Sequence, residues 1–579
     1  MSTALEAASL VMVPSGYEDG SLASVKPTDG TGDFTFSRGS DISATRVNED
    51  GYIEKGYENL LLQSNSFLTT WLQTDLTATS GESGYDGSSD AWLLSKSAAN
   101  GRLRQYVTDT GVQTLSAYFK AGTNNWMRIT YGGATTYFDL ANGVLGSDNS
   151  INATITSVGS GWYRCTFTAN VTSAQYAQFY VADSNGDTSA TSGSIYIQDA
   201  MLNQGMVSYP YVETTTAPVA GGILEDMPRL DYTDSSCPSL KLEPQRTNLI
   251  EYSEYLGSNW TFIRTNYESN TATSPEGLTN AAKVFANTSS GNHYFEKVGF
   301  TGFTSGDYTY SFFAKSAGSD FVQIATSTGF DSRYQNFNLT TGEKASGDTD
   351  SSGYDTSITP IGDDGWYRLT ITANAPSTSV RFLIIPILTD AARNPVFTGD
   401  GVNGFYFYGA QLEQDATYPT SYIPTYGTSQ TRLAEDLELP TLSSVFDSTG
   451  SFTLFFEIER LSSSVQQQIL YIRGQGYFRL DATADNRLKF VIYGGGASVT
   501  EANSDINTFV AGTSSKIIYK QNGTIGQCFI NGQEISSGTP TILTGFFTFY
   551  QRNENHIKHK EVYFPTALSD DECIELTTI

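Results

Sequence analysis

Two stretches of this 579-residue chain repeat one another in order, and a duplicated stretch has to fold the same way twice. Asn59-Leu60-Leu61-Leu62-Gln63-Ser64 is echoed by Asn248-Leu249-Ile250-Glu251-Tyr252-Ser253, and in each the Asn precedes a Trp (Trp71, Trp260) by twelve residues. Leu115-Ser116-Ala117-Tyr118-Phe119-Lys120 matches Tyr310-Ser311-Phe312-Phe313-Ala314-Lys315, with Trp126 and Phe321 each six residues beyond the Lys. Tyr137-Phe138-Asp139-Leu140 matches Asn336-Phe337-Asn338-Leu339. The strongest pair is Gly161-Trp162-Tyr163-Arg164-Cys165-Thr166 with Gly365-Trp366-Tyr367-Arg368-Leu369-Thr370. Ile195-Tyr196-Ile197 through Tyr209-Pro210, and Phe405-Tyr406-Phe407 through Tyr418-Pro419, close the two copies. Five ordered matches make chance a poor explanation.

Within each copy the pattern alternates. Trp162, Arg164 and Thr166 fall on one face, and Tyr163, Cys165 and Phe167 on the other, which is the period of a β-strand. Such segments, separated by Gly, Ser, Asp and Asn turns, predict an all-β chain with two repeated jelly-roll β-sandwiches. The abundance of Gly (54), Tyr (35) and Phe (33) agrees. The last 140 or so residues leave the repeat and open a new strand series at Phe452. There Asn531-Gly532 predicts a type I′ hairpin, and Ser569-Asp570-Asp571-Glu572 predicts a capped helix. The expected divisions are 1–57, an N-terminal attachment or lead-in segment; 58–215, the first sandwich; 216–247, a connecting lead-in; 248–436, the second sandwich; and 437–579, a third sandwich able to fold alone.

Thirty-three basic against 61 acidic residues give a formal charge of −28, which repels nucleic acid and anionic membranes. No apolar run is long enough to span a membrane, and Met1-Ser2-Thr3-Ala4 opens without a secretory pattern. Cys165, Cys237, Cys528 and Cys573 lie far apart without CxxC spacing, so reduced, mostly buried thiols are expected, from a chain made in a reducing cytoplasm.

Arg38-Gly39-Ser40, Ala44-Thr45-Arg46-Val47-Asn48 and Gly51-Tyr52-Ile53-Glu54 resemble a lead-in found in structural proteins of tailed bacteriophages. Pro228-Arg229-Leu230-Asp231-Tyr232, with Cys237-Pro238-Ser239-Leu240 and Glu243-Pro244-Gln245-Arg246-Thr247-Asn248-Leu249, resembles a second. The shorter Thr431-Arg432-Leu433-Ala434-Glu435-Asp436 precedes the last domain in the same way. The repeats resemble the carbohydrate-binding-module-like jelly rolls of phage fibre and tail proteins. The C-terminal unit, through Asn531-Gly532, Tyr563-Phe564-Pro565 and Ala567-Leu568-Ser569, resembles a concanavalin A-like sandwich of laminin G type. The resemblance implies surface display and glycan contact.

Candidate sites are few. A glycosidase needs two carboxylates flanking a cleft, and no acidic motif falls at matched positions on a strand face, so the chain is read as non-catalytic. His556 and His559 lack a third ligand. Asp183, Asn185 and Asp187 offer oxygen ligands at alternating positions for calcium, but Thr188 and Ser194 break the EF-hand pattern. Asp and Asn are also ordinary turn formers, and that reading is preferred, leaving calcium as the one candidate cofactor. Trp71/Trp260, Trp162/Trp366 and Trp126/Phe321 are paired across the repeat, which points to core roles. Trp92 is matched by Ala282, so the scaffold does not demand it, and it is the candidate exposed glycan contact.

The functional expectation is a virion structural protein (a fibre, spike or decoration subunit) at the virion surface of a tailed phage, binding host-surface glycans through many weak sites. Its expected partners are itself, as a homo-oligomer with threefold symmetry preferred, and other virion proteins through the N-terminal segment. A polysaccharide depolymerase and a purely architectural tail or capsid component are the alternatives.

Overall fold

The computed structural model describes residues 6–233, 236–297, 304–327, 332–348, 354–375, 381–439, 451–461, 467–473, 477–483, 486–494, 498–504, 508–523, 525–538, 548–552 and 556–578. The chain is nearly all β, as its alternating patterns require.

Each repeat is a pair of six-stranded antiparallel sheets. In the first copy one sheet runs Asn152–Gly159, Trp162–Val171, Gly111–Ala121, Gly193–Gln204, Ala91–Lys96, Leu76–Glu82. The other runs Val144–Asp148, Ala134–Asp139, Trp126–Tyr131, Gln175–Ala182, Arg102–Val107, Leu72–Thr74. The second copy has the same order, from Tyr354–Ile361 to Thr265–Thr273 and from Glu343–Gly347 to Trp260–Ile263. Irregularities recur as well. The register shifts between Ser116 and Tyr118 in one copy and between Ser311 and Phe313 in the other. Opposite those shifts, Asp199 and Gly409 both adopt left-handed backbone, at φ +53° and +62°.

The Asn that opens each motif is a buried clasp. Asn59 Nδ2 donates to the Ala200 and Val212 carbonyls, and its Oδ1 accepts from Leu61 and Leu202 N–H. Asn248 repeats the set with Ala410, Ile423, Ile250 and Leu412. Trp71 and Trp260 each donate Nε1–H to a carbonyl eight residues back, of Gln63 and Tyr252. Trp162 and Trp366 are both buried.

The terminal sandwich is assembled from three separated stretches. His556–Phe564 pairs with Ser451–Arg460, but also with Leu10–Met12 and with Ser239–Leu242. Phe34–Ser37 pairs with Asp436–Leu439, which pairs with Thr548–Arg552. Leu10, Phe34, Phe36, Leu230 and Leu240 share one core with Leu454, Phe456, Tyr519 and Tyr563. The expectation that 437–579 stands alone is therefore corrected. Strands of the 1–57 and 216–247 segments are built into its sheets, because an apolar strand must bury its face and alternation does not say against what. The local expectations hold: Asn531 and Gly532 take φ +48° and +82° between paired Ile530 and Gln533, and Ser569 and Glu572 form the capping box of helix Asp570–Thr577. None of the four cysteines is in a disulfide; Cys237 is exposed and the other three are buried. Among the described residues no helix is long and apolar enough to cross a membrane.

The three lead-ins meet in one buried ionic junction. Arg229 donates Nε–H to Glu435 Oε1 at 2.5 Å, Nη2–H to Glu243 Oε2 at 2.9 Å and Nη1–H to the Thr45 carbonyl at 2.9 Å. Arg38 reaches Glu435 at 3.3 Å, and Arg432 reaches Glu243 at 2.9 Å. All five side chains are at most 3% exposed. Burial alone would raise the Glu243 carboxyl, but Arg432 and Arg229 more than offset it and hold it well below the usual range. Burial pushes the Arg38 guanidinium down to about 10, with Glu435 opposing and Arg229 adding to the effect. A second junction centres on Lys55, whose Nζ lies 2.6 Å from Glu254 Oε1 and 2.9 Å from Glu276 Oε2. Tyr209, at the end of the first copy, donates its hydroxyl to Glu276 Oε1 at 2.5 Å, while Tyr408 and Tyr422 of the second copy face the same ammonium. Ions desolvated this deeply persist only when each is paired, so these contacts fix the sandwiches against each other.

Candidate functional site: an arginine–tyrosine sheet face

Trp92 is not a surface platform. It is 7% exposed, packs edge-on to Phe67 at 5.7 Å between ring centroids, and donates Nε1–H to the Asn65 carbonyl. Its pairing explains why the comparison with Ala282 misleads. Trp92 lies opposite Ile197, and Ala282 lies opposite Phe407, so large-with-small in one copy becomes small-with-large in the other. Both pairs lie in their sandwich cores. The core keeps its total volume while exchanging sides.

Asp183, Asn185 and Asp187 do not converge on a cation. Asp183 Oδ1 accepts from the Lys96 ammonium and from Asn124 Nδ2, and its Oδ2 accepts from Ala190 N–H. Asn185 Oδ1 accepts from Ser147 N–H at 2.7 Å, and Asp187 Oδ1 from Ser189 N–H at 2.9 Å. An ammonium already stands where the first ligand would meet calcium, so the residues present do not fit the ion. Among the described residues no group of three or more His, Cys, Asp or Glu is placed to hold a metal.

The candidate site lies on the second sheet of the first copy, where alternation turns one side of every strand outward. Along Arg102–Val107, Leu103, Gln105 and Val107 are buried while Arg102, Arg104 and Tyr106 face out. Tyr106 is 54% exposed. Cross-strand pairing aligns these side chains in rows. Arg102 sits opposite Tyr180, Tyr180 opposite Arg128, and Arg128 opposite Tyr137. In the next row Arg104 faces Gln178, which faces Thr130. Tyr106 then faces Tyr176.

The guanidinium groups stack on the phenol rings. Arg128 Cζ lies 3.5 Å from the Tyr180 centroid, Arg104 Cζ 4.4 Å from that of Tyr176, and Arg102 Cζ 5.5 Å from that of Tyr180. The rings of Tyr106 and Tyr176 meet edge to face at 5.1 Å. Each such stack contributes about 0.5–2 kcal/mol and holds a long side chain flat on the sheet. Hydrogen bonding to the three arginines is sparse: Arg128 Nη1 donates to Tyr137 Oη and Arg102 Nη1 to the Asn100 carbonyl, both at 3.3 Å. Nε of Arg102, Arg104 and Arg128 has no partner, and none of the three is ion-paired among the described residues.

The same face of the second copy is closed. Leu383, Ile385 and Ala325 stand there with Tyr294 and Tyr334 packed against them. The stretch after Ile387 folds across it, with Gln323 Nε2 donating to the Ala392 carbonyl, Asn336 Nδ2 to the Ala391 carbonyl and Arg393 Nη2 to the Thr326 carbonyl. The sequence reading passed over this site. Arg102-Leu103-Arg104-Gln105-Tyr106 carries its signal, since the second copy has Tyr294-Phe295-Glu296 at the equivalent strand.

No family model and no curated protein matches the chain. Among solved structures, it is similar to the CBM40 of the Ruminococcus gnavus IT-sialidase bound to α2,3 sialyllactose, at 16% identity over 22% of this chain and 83% of that one, TM-score 0.20. It is also similar to the botulinum neurotoxin serotype D binding domain, at 12% identity over 24% of this chain and 39% of that one, TM-score 0.21. A third is the heptameric SAP-like pentraxin of Limulus polyphemus, at 12% identity over 22% of this chain and 69% of that one, TM-score 0.18. Likeness at these scores carries no weight for function.

Proposed function

We propose that this chain is a non-catalytic structural protein of a tailed-phage virion, a fibre, spike or decoration subunit that displays a glycan-binding face. The observation that carries the reading is the pairing of an open Arg/Tyr face on the first sandwich with buried ionic junctions that lock the sandwiches together. A rigid body with one exposed recognition surface suits display. The resemblance of the first two lead-ins to phage structural proteins supports the virion location, and they supply Arg38 and Arg229 to the junction that Arg432 of the third completes. Glu243 and Glu435, both held below the ordinary carboxylate range by their arginines, sit inside that junction, where no substrate can reach them. That arrangement favours a structural role over hydrolysis.

In this reading the protein needs no cofactor and works as a homo-oligomer, with threefold symmetry preferred, attached to other virion proteins. Multivalency raises weak single-site affinity, because each further contact forms at high effective concentration. Imaging particles labelled with antibody against this chain tests the location; label absent from the particle surface refutes it. A glycan array tests recognition, and release of reducing sugar from host polysaccharide would replace the reading with that of a depolymerase.

A further inference from the structure

We infer that the Arg/Tyr face takes a polysaccharide whose sugars carry oxyanions, carboxylate or phosphate, and that only the first of the two sandwich copies does so. The inference rests on the glycan-binding reading and adds the ligand's chemical class.

Charge comes first. The chain carries 61 acidic residues against 33 basic ones, yet the three rows described above hold three arginines and no acid, and the Asp139 carboxyl in the row beyond them is bonded to Ala141 and Asn142. Elsewhere the deeply buried arginines Arg229 and Arg432 are matched to carboxylates. Here no carboxylate pairs with any of the three among the described residues, and their guanidiniums make only the two 3.3 Å hydrogen bonds to Tyr137 and the Asn100 carbonyl. A planar guanidinium donates a two-pronged fork that matches carboxylate and phosphate oxygens, and a hydrogen bond to a charged acceptor is worth more than one to a hydroxyl.

Shape points to a sugar polymer. The row Arg102, Tyr180, Arg128, Tyr137 crosses four adjacent strands, so it extends roughly 14 Å at strand spacing. Tyr180 and Tyr137 are buried at 7% and 8% exposure, so a short oligosaccharide lying on this strip would meet the arginines, with exposed Tyr106 and half-buried Tyr176 beside them for ring contact. Gln178, Thr130 and Thr135 complete the strip with neutral groups able to bond sugar hydroxyls. The second copy argues for selectivity. There Leu383, Ile385 and Ala325 lie under a covering loop, Arg104 and Tyr176 give way to the mutually paired Glu296 and Arg381, and Arg128 gives way to Gln323, whose amide is consumed in holding that loop. Duplication kept the scaffold and left one face open.

The full-length protein is screened on an array that includes neutral, uronic-acid-bearing and phosphate-bearing glycans, and the tightest binder is carried into titrations with Arg104→Gln and Arg128→Gln. The expected result is binding confined to the acidic members, weakening as salt rises toward 0.5 M, with each variant losing roughly tenfold or more in affinity while its Tm falls by no more than the few degrees that loss of one stack costs. The uronic-acid and phosphate members separate the two oxyanion sources. Binding dominated by neutral glycans, or acidic binding untouched by both variants, overturns the anionic class and leaves glycan recognition standing. Empty arrays overturn glycan recognition itself. Dissociation of an oligomer by Arg104→Gln without glycan binding would make the face a contact between copies, which also overturns the inference.

Discussion

Replacing Lys55 by Met tests whether the second junction holds the sandwiches together. Met keeps most of the stem and removes the ammonium, so Glu254 and Glu276, with side chains 1% and 4% exposed, lose the cation 2.6 and 2.9 Å away. Removing one partner of a buried ion pair costs about 3–5 kcal/mol, because the remaining charge is left desolvated. For a cooperative unit of sandwich size, about 2–4 °C of Tm per kcal/mol gives a fall of roughly 6–20 °C at pH 7. The pH dependence makes the test specific. In the parent, burial would raise the Glu276 carboxyl, but Lys55 and Tyr209 hold it below its ordinary value, so its contribution is present above the unfolded pKa and fades as acid protonates it. Glu254 already stands above its ordinary value in the parent, because burial outweighs Lys55, and without Lys55 it rises further and Glu276 rises with it. The variant's native state then gains relative stability as pH falls from 7 to 5, and its deficit against the parent narrows. Differential scanning calorimetry of both proteins at the two pH values measures this. A Tm within about 2 °C of the parent, or a deficit equal at both pH values, would refute the reasoning.

Trp92→Ala should destabilise the first sandwich by about 3–5 kcal/mol, and adding Ile197→Phe should recover part of the loss by reproducing the Ala282/Phe407 arrangement; denaturant midpoints decide, and a single-variant loss under about 1 kcal/mol would mean the ring is not core. Burial, opposed by the Tyr85 hydroxyl and reinforced by Asp90 and Asp86, raises Asp199 to about 6, so stability is present below its unfolded pKa and lost as pH rises through 6; Asp199→Asn should flatten Tm between pH 5 and 7, and an unchanged slope counts against the assignment. Residues 437–579 expressed alone should aggregate or unfold without cooperativity, because Leu10, Phe34 and Leu240 are missing from their core; a monomer with a sharp thermal transition would contradict the sheet pairing.

Local chemistry was legible in the residues. The hairpin at Asn531-Gly532 needs two positive φ values, which these residue types adopt at little cost, and the Ser569/Glu572 box needs only neighbours three apart. The duplication was legible because matched motifs such as those at Asn59 and Asn248 bond their own copy in the same way. Partnership across long separations was not. Val11 pairs with Val562, and nothing in either strand's alternation names the other. The Trp92 error has a related origin: a lone difference between copies looked like freedom, whereas the compensating residue stood on a neighbouring strand. The Arg/Tyr face was overlooked because Tyr180 meets Arg128 and Arg102 from 52 and 78 residues away, and the row forms only once those strands pair.

The interleaving of the terminal sandwich sets an order of events during synthesis. Each repeat finds all its strands within one continuous stretch, so it can close while the ribosome is still adding later residues. Leu10–Met12 and Phe34–Ser37 emerge before both repeats but pair with His556–Phe564 and Asp436–Leu439, made after them. Until then the earliest strands present unpaired edges and bare Leu, Met and Phe side chains, the form in which nascent β-chains associate wrongly. Two folded repeats standing between the halves also bring those distant halves near each other, shortening the effective loop that the late strands must close. Any lesion that slows the repeats should therefore surface first as aggregation of the terminal sandwich.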